Sequence, residues 1–166
     1  MSRPRAVLVG PPGAGKTTVG RLLAEQLGLG FRDTDADIEA MAGKTIAEIF
    51  LDEGEEHARG LERTAVARAL AEHGGILALG GGAVLSPATR ELLKGHCVVF
   101  LSVGLADGVK RVGLARERPV LTVNPRAILR RLLEERLPLY REVATIEVVT
   151  DGRTPEDVAR ECLSSV

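Results

Sequence analysis

Gly10-Pro11-Pro12-Gly13-Ala14-Gly15-Lys16-Thr17 follows directly on the apolar run Ala6-Val7-Leu8-Val9, and this junction decides the fold. A loop with glycines at both ends, closed by Lys and Thr, is the strand–loop–helix device that turns backbone N–H groups toward the phosphates of a nucleoside triphosphate. Phosphate oxygens need several convergent donors, and glycine keeps side chains out of their way. The helix beginning at Lys16 aims its positive end at the same charge. Lys16 is placed to reach the β- and γ-phosphates, and the Thr17 hydroxyl to hold Mg²⁺. Gly13, Ala14, Gly15 and Thr18 complete the candidate cradle. ATP and Mg²⁺ are the expected cofactors, and the question becomes what accepts the phosphoryl group.

Outward from the loop, strand-like runs recur at Ala6–Val9, Ile76–Leu79, Cys97–Leu101 and Ile146–Val149, with a short candidate at Phe31–Asp33. Helical patterns separate them. They are Lys16–Leu27, stopped by Gly28; Glu55–His73, ended by Gly74-Gly75; Pro87–Leu93 behind Ser86; Pro125–Leu137 behind Asn124; and Pro155–Leu163 behind Thr154. Strand–helix alternation with short connections predicts an α/β fold, a parallel sheet covered on both faces. Ligands bind such sheets beyond the C-terminal ends of the strands, so residues carrying chemistry should follow strands. Gly113–Asn124 is the least regular stretch and is expected to form a mobile cover.

A length of 166 residues fits a single domain, 1–166, with a substantial core. The 22 basic and 23 acidic side chains leave a formal charge of −1, which offers no broad attraction to nucleic acid or to an anionic membrane. Three Phe, one Tyr and no Trp leave few stacking platforms. Cys97 and Cys162 belong to no close-spaced metal or redox motif and are expected to be structural thiols. Neither a secretory apolar region nor a membrane span is apparent, so a cytoplasmic location is expected. His57, His73 and His96 are scattered and fit no base or metal constellation.

Beyond the candidate second strand stands Asp33-Thr34-Asp35, followed by Asp37 and Glu39. In an extended segment Asp33 and Asp35 share a face, and if the chain turns helical at Asp35 they diverge. One could then face Mg²⁺ and the other an acceptor hydroxyl, orienting its oxygen and taking its proton. The alternative is that the acids only cap and solvate the first turn of the next helix.

These residues resemble the shikimate kinase family. The ordered set is the phosphate loop, Asp33-Thr34-Asp35-Ala36-Asp37-Ile38-Glu39, Gly43-Lys44-Thr45-Ile46-Ala47-Glu48-Ile49-Phe50, Gly54-Glu55 and Arg59-Gly60-Leu61-Glu62. It continues with Gly80-Gly81-Gly82, Arg118-Pro119-Val120-Leu121 and Arg136-Leu137-Pro138-Leu139-Tyr140, over nearly the whole chain. The resemblance implies a three-layer α/β/α P-loop fold with a five-stranded parallel sheet in order 2-3-1-4-5. It implies transfer of the ATP γ-phosphoryl group to the 3-hydroxyl of shikimate, a step of aromatic amino acid biosynthesis. Shikimate is the expected small-molecule partner, no nucleic acid or membrane partner is expected, and the chain is expected to be a monomer. Asp35 would hold the acceptor hydroxyls and act as base, and Asp33 would serve Mg²⁺ through the second coordination sphere. Arg59 and Arg136 would clamp the shikimate carboxylate, with Phe50 as a pocket wall and Gly80, Gly81 and Gly82 closing around the ring. Arg118 would reach the transferring phosphate from a lid at about 112–124, and Arg111 and Arg153 would lie near the nucleotide. The acceptor-binding segment would be about 33–62. One departure stands out: the family usually has an aromatic residue before the first clamp arginine, and here it is Ala58.

The chemistry suits these residue types. A guanidinium pairs two carboxylate oxygens at once, which Lys cannot do, and phosphoryl transfer needs positioning and charge neutralisation more than covalent chemistry. A lid would exclude water that otherwise hydrolyses ATP. Two rival readings remain open from the sequence: another small kinase, acting on a sugar acid or a nucleoside monophosphate, and a nucleotide-dependent switch or nucleic-acid ATPase. The acidic pair favours a polyhydroxylated acceptor over a nucleotide. The near-neutral chain weakens the switch or ATPase.

Overall fold

The computed structural model describes residues 3–104, 107 and 125–166. β1 (Ala6–Val9) is buried throughout and runs into the loop that feeds α1 (Lys16–Leu27). β2 (Phe31–Asp33), β3 (Ile76–Ala78), β4 (Val98–Ser102) and β5 (Ile146–Val149) join it in one five-stranded sheet, order β2-β3-β1-β4-β5. Every pairing is parallel, as the resemblance implied. Because strand side chains alternate, successive residues of β1 serve opposite faces. Ala6 and Leu8 join Val19, Leu23, Val148, Val158 and Cys162 beneath α1 and α6 (Pro155–Leu163). Val7 and Val9 join Val66, Leu70, Phe100 and Tyr140 under α3 (Ile46–Glu72) and α5 (Pro125–Val143). This is the three-layer arrangement.

Register explains where the site falls. Leu8 and Asp33 both pair with Ala78. The chain therefore leaves β1, β2 and β3 at one edge of the sheet, and the segments that begin at Gly10, Thr34 and Gly80 emerge side by side. β1 lies between β3 and β4, so this edge is also where the strand order reverses, the crevice in which open α/β sheets bind ligands.

Several boundaries differ from the sequence expectation. Within α3 the helix expected from Glu55 is present, and a further helical segment precedes it from Ile46, where Thr45 and Glu48 form a reciprocal capping box. The two segments meet at Gly54 (φ 87°, ψ 165°), a non-helical conformation reserved for glycine, which turns the corner between them. α2 (Thr34–Ala42) begins directly at the end of β2 and packs on α3 around Ile38, Ile49, Ala58 and Ala65. α5 does not stop at Leu137 but continues through Pro138 to Val143. Proline inside a helix costs about 3 kcal/mol. Here the turns beyond it bury Tyr140, whose ring stacks on Phe100 at 5.0 Å, and tertiary packing prevails. The caps Ser86 and Thr154 are in place at α4 (Pro87–Leu93) and α6, accepting from the amides of Thr89 and Asp157. No helix among the described residues is long and apolar enough to cross a membrane.

Candidate active site

Helix α1 begins differently from its neighbours. Asp33, Thr45, Ser86 and Thr154 each cap a helix with a side chain, whereas α1 starts behind Gly15 (φ 90°) with no side-chain cap. A helix N-terminus left open beneath a glycine loop is suited to an anion, because its first N–H groups and its dipole point the same way. Lys16 Nζ donates to the carbonyls of Gly10 (2.7 Å) and Pro11 (3.1 Å), which centres the ammonium over the loop. Thr17 and Thr18 are exposed on the first turn, and Ala14 is buried beneath it.

Asp33 links this loop to the next. Its Oδ2 accepts from Thr17 Oγ1 (3.0 Å), while its Oδ1 accepts from the Asp35 amide (2.9 Å) and caps α2. The capping reading of the acidic run therefore holds for Asp33, which also faces the phosphate loop through Thr17. The adjacent hydroxyl and carboxylate are hard oxygen donors of the type Mg²⁺ prefers, beside the phosphate loop. Asp35, turned by the start of the helix, points elsewhere. A Cβ added to Gly80 would lie 2.6 Å from Asp35 Oδ1 and 2.9 Å from Glu62 Oε2, so both carboxylates converge on the Gly80 backbone. The Gly80 amide donates to the buried Thr34 hydroxyl at 3.3 Å, joining the loop after β3 to the start of α2.

Glu62 was quoted in the sequence pattern without a role, yet it stands at the centre of the pocket. It is only 7% exposed and accepts from Arg59 Nη1 at 3.0 Å. Burial pushes its carboxyl above the usual glutamate range. Arg59 opposes the rise by charge and hydrogen bond, the Asp35 carboxylate adds to it, and Arg136 opposes it. Those interactions put Asp35, Arg59 and Arg136 around one buried acid. The sequence signal was available: Arg59 and Glu62 are three apart on a helix and must face the same way.

The Arg59 guanidinium lies over the Phe50 ring, 5.5 Å from its centroid, and packs on Gly82. Among the described residues its Nε is buried without a hydrogen-bond partner and stands 3.7 Å from the nearest Glu55 oxygen. Leaving such a donor unmet costs 1–3 kcal/mol or more, roughly, a cost that a ligand carboxylate would remove. A cavity of about 510 Å³ opens beside it, lined by Glu55, Arg59, Glu62, Gly82 and Ser86 among others. Arg136 is buried on α5. Ala58 packs inward with Ile38 and Ile49, in the α2–α3 core.

Arg153 stands apart from this group. Its guanidinium donates to the Val149 carbonyl (2.9 Å), to Glu161 (2.7 Å) and to the Asp157 carbonyl (3.2 Å), so it shapes the turn between β5 and α6. That turn is tied to the end of β4 by Asp151, which accepts from the Gly104 amide at 2.8 Å. Arg111, Arg118 and the lid expected at about 112–124 lie outside the described residues.

Fold and site together define a P-loop kinase, with a phosphate cradle behind β1 and a pocket of arginines and carboxylates behind β2 and β3. A model of the family described as shikimate kinase matches residues 12–166. The shikimate kinase of Salinispora arenicola is 65% identical over 158 residues, 95% of each chain. That of Streptomyces coelicolor is 58% identical over all of this chain and 97% of its own. Among solved structures, the shikimate kinase from Acinetobacter baumannii in complex with shikimate superposes with a TM-score of 0.93 at 42% identity, covering 99% of this chain and 92% of that one. This chain belongs to the shikimate kinase family and is an ATP-dependent phosphotransferase with an alcohol acceptor.

Proposed function

We propose that this chain transfers the γ-phosphoryl group of ATP to the 3-hydroxyl of shikimate, giving shikimate 3-phosphate and ADP, with the work divided along one sheet edge. The observation that carries this reading is the convergence on the glycine triad of Arg59 at Gly82, its Nε unmet among the described residues, and of Asp35 and Glu62 at Gly80, in a chain 42% identical to a protein whose structure holds shikimate. Shikimate has a carboxylate at one end and hydroxyls at the other, and the pocket offers guanidinium at one end and carboxylate at the other.

Arg59 and Arg136 grip the acceptor carboxylate and Phe50 walls the pocket. Gly80, Gly81 and Gly82 let the ring approach the backbone. Asp35 orients the 3-hydroxyl and takes its proton as the new O–P bond forms. The bond between the γ-phosphorus and the bridging oxygen breaks, and ADP leaves with that electron pair. Gly13, Ala14, Gly15, Thr18 and the α1 N-terminus hold the phosphates, and Lys16 neutralises the migrating charge. Thr17 and Asp33 would hold Mg²⁺, Asp33 through a water, and the ion when bound neutralises the β- and γ-phosphate oxygens. Arg153 supports the nucleotide by fixing the turn after β5. Within the same proposal, 33–62 forms the acceptor segment and 112–124 the lid carrying Arg118, with Arg111 beside the nucleotide. The enzyme works as a single-domain monomer in the cytoplasm.

The test is Mg²⁺·ATP-dependent ADP release with shikimate, gluconate, several nucleoside monophosphates or no acceptor, with products identified by mass. Release with shikimate alone, yielding shikimate 3-phosphate, is expected. Release without an acceptor would overturn the reading in favour of an ATPase, and release with another acceptor would overturn the pocket assignment.

A further inference from the structure

Tyr140 is the one tyrosine of the chain and is 1% exposed. Its hydroxyl donates to the Gly81 carbonyl at 2.6 Å, across 59 residues of sequence, while its ring stacks on Phe100. Gly81 is the middle of the triad whose outer members touch the acceptor pocket: Gly80 between Asp35 and Glu62, Gly82 under the Arg59 guanidinium. Tyr140 also lies four residues after Arg136 on α5, one turn away on the same helix face. One phenol thus joins the element that carries one clamp arginine to the loop that seats the other.

Pro138 makes that joint necessary. Lacking an N–H, it removes the α5 rung to the Glu134 carbonyl, in the turn that carries Arg136, where the helix is least able to hold Arg136 by itself. The turns beyond Pro138 are fastened from a second side. Arg90 on α4 donates to the Val84 (2.7 Å) and Leu85 (3.2 Å) carbonyls, in the turn that follows the glycines, and to Glu142 Oε2 (3.0 Å) on α5. Arg90 holds the outside of the turn, and Tyr140 reaches the glycines themselves.

We propose that Tyr140 is a positioning residue for recognition of the acceptor carboxylate: its bond to Gly81 fixes the spacing of Arg136 and Arg59. Two guanidiniums pair with one carboxylate only at a set separation and angle, so a small relative drift weakens the clamp while leaving the phosphate loop intact. The inference rests on the shikimate reading above.

The experiment compares wild type with Tyr140→Phe, which keeps the ring and its stack, on shikimate and on the analogue with hydroxymethyl in place of the carboxylate. A rise of roughly 10-fold in the shikimate KM is expected, the worth of one good hydrogen bond, with the ATP KM unchanged. The kcat/KM for the hydroxymethyl analogue should stay at its wild-type value. Equal losses on both acceptors, or a lowered Tm with the shikimate KM unchanged, would show a merely structural tyrosine and overturn the proposal. If Tyr140→Phe does not accumulate folded, Arg90→Gln is read in the same way, where a loss confined to the carboxylate acceptor supports the coupling and a uniform loss overturns it. A wild-type enzyme that leaves shikimate untouched would instead overturn the underlying acceptor reading.

Discussion

Gly82→Ala is the sharpest perturbation of the acceptor pocket. A Cβ at Gly82 would fall 2.5 Å from Arg59 Cζ and 2.6 Å from Nη2, where ordinary contact begins near 3.4 Å. The guanidinium must therefore retreat by about 1 Å, because the loop backbone is held by Tyr140 and Thr34 and cannot. A retreat of that size lengthens the 3.0 Å bond from Nη1 to Glu62 beyond hydrogen-bonding range and misaligns the fork facing the cavity. A hydrogen bond to a charged group is worth ~1.5–3 kcal/mol, so the shikimate KM should rise by roughly 10- to 150-fold. The ATP KM should hold, since the atoms nearest an added Cβ at Gly82 all belong to Arg59. Stability should fall by no more than the loss of that Glu62 bond, because the displaced atoms are the end of a flexible side chain beside an open cavity of about 510 Å³. Gly75→Ala is the control with the opposite signature. Its Cβ would strike the Gly30 backbone, which has no rotamer to yield, and Tm should fall by several degrees with both KM values unchanged. The assay is coupled ADP release at varied shikimate and varied ATP, beside thermal melts. An unchanged shikimate KM in Gly82→Ala, or equal changes in both KM values, would refute the assignment of Arg59 to the acceptor.

Asp35→Asn should abolish most turnover while leaving ATP affinity intact by calorimetry, and wild-type turnover would remove Asp35 as base or positioner. Glu62→Gln addresses the buried acid. The folded protein retains a proton on Glu62 that the unfolded chain releases near 4.5, so this group's stabilising contribution is full below that pH and is lost as pH rises through its elevated folded value. The variant should therefore gain stability relative to wild type as pH climbs from 4.5, and the reverse slope in a melting series would show that the Arg59 pairing outweighs burial. Burial pushes the Cys162 thiol up to about 11 and removes it from solvent. A thiol-labelling reagent near pH 8, where only ~0.1% would be thiolate, should modify Cys162 only on unfolding; rapid native labelling seen by mass would contradict this.

The sheet was legible because each strand is a short apolar run bounded by helix signals, and the phosphate loop because its residue types admit few other uses. Sheet order was another matter, since periodicity says nothing about which strand lies beside which; that came from the resemblance. The missed stretch at Thr34–Glu53 has a local cause. Its helices are amphipathic toward each other and not toward the sheet, and Gly54 interrupts the pattern at a corner. Within the site, Asp33 and Asp35 were separable only once the helix start fixed their directions. Glu62 and Tyr140 were hidden for a different reason. Their roles lie in what they touch across the fold, Arg59 and Asp35 for the one and Gly81 for the other, and sequence separation carries no distance.

The glycine triad shows what the sequence left open and how the structure resolves it. Three consecutive glycines favour a backbone that needs close neighbours, with a loop needing unusual dihedrals as the alternative. None of Gly80, Gly81 and Gly82 has a positive φ, whereas Gly13, Gly15 and Gly54 do. The demand is for space, and a different neighbour makes it at each position: the Asp35 and Glu62 carboxylates at Gly80, Pro12 of the phosphate loop at Gly81 (3.1 Å), Arg59 at Gly82. The phosphate loop, Asp35 and the first arginine are far apart in the chain, yet each abuts this one segment, and the strand register brings the ends of β1, β2 and β3 to the same edge. A side chain at any of the three would push apart two groups that phosphoryl transfer needs together, which is a physical reason for the run to be glycine throughout.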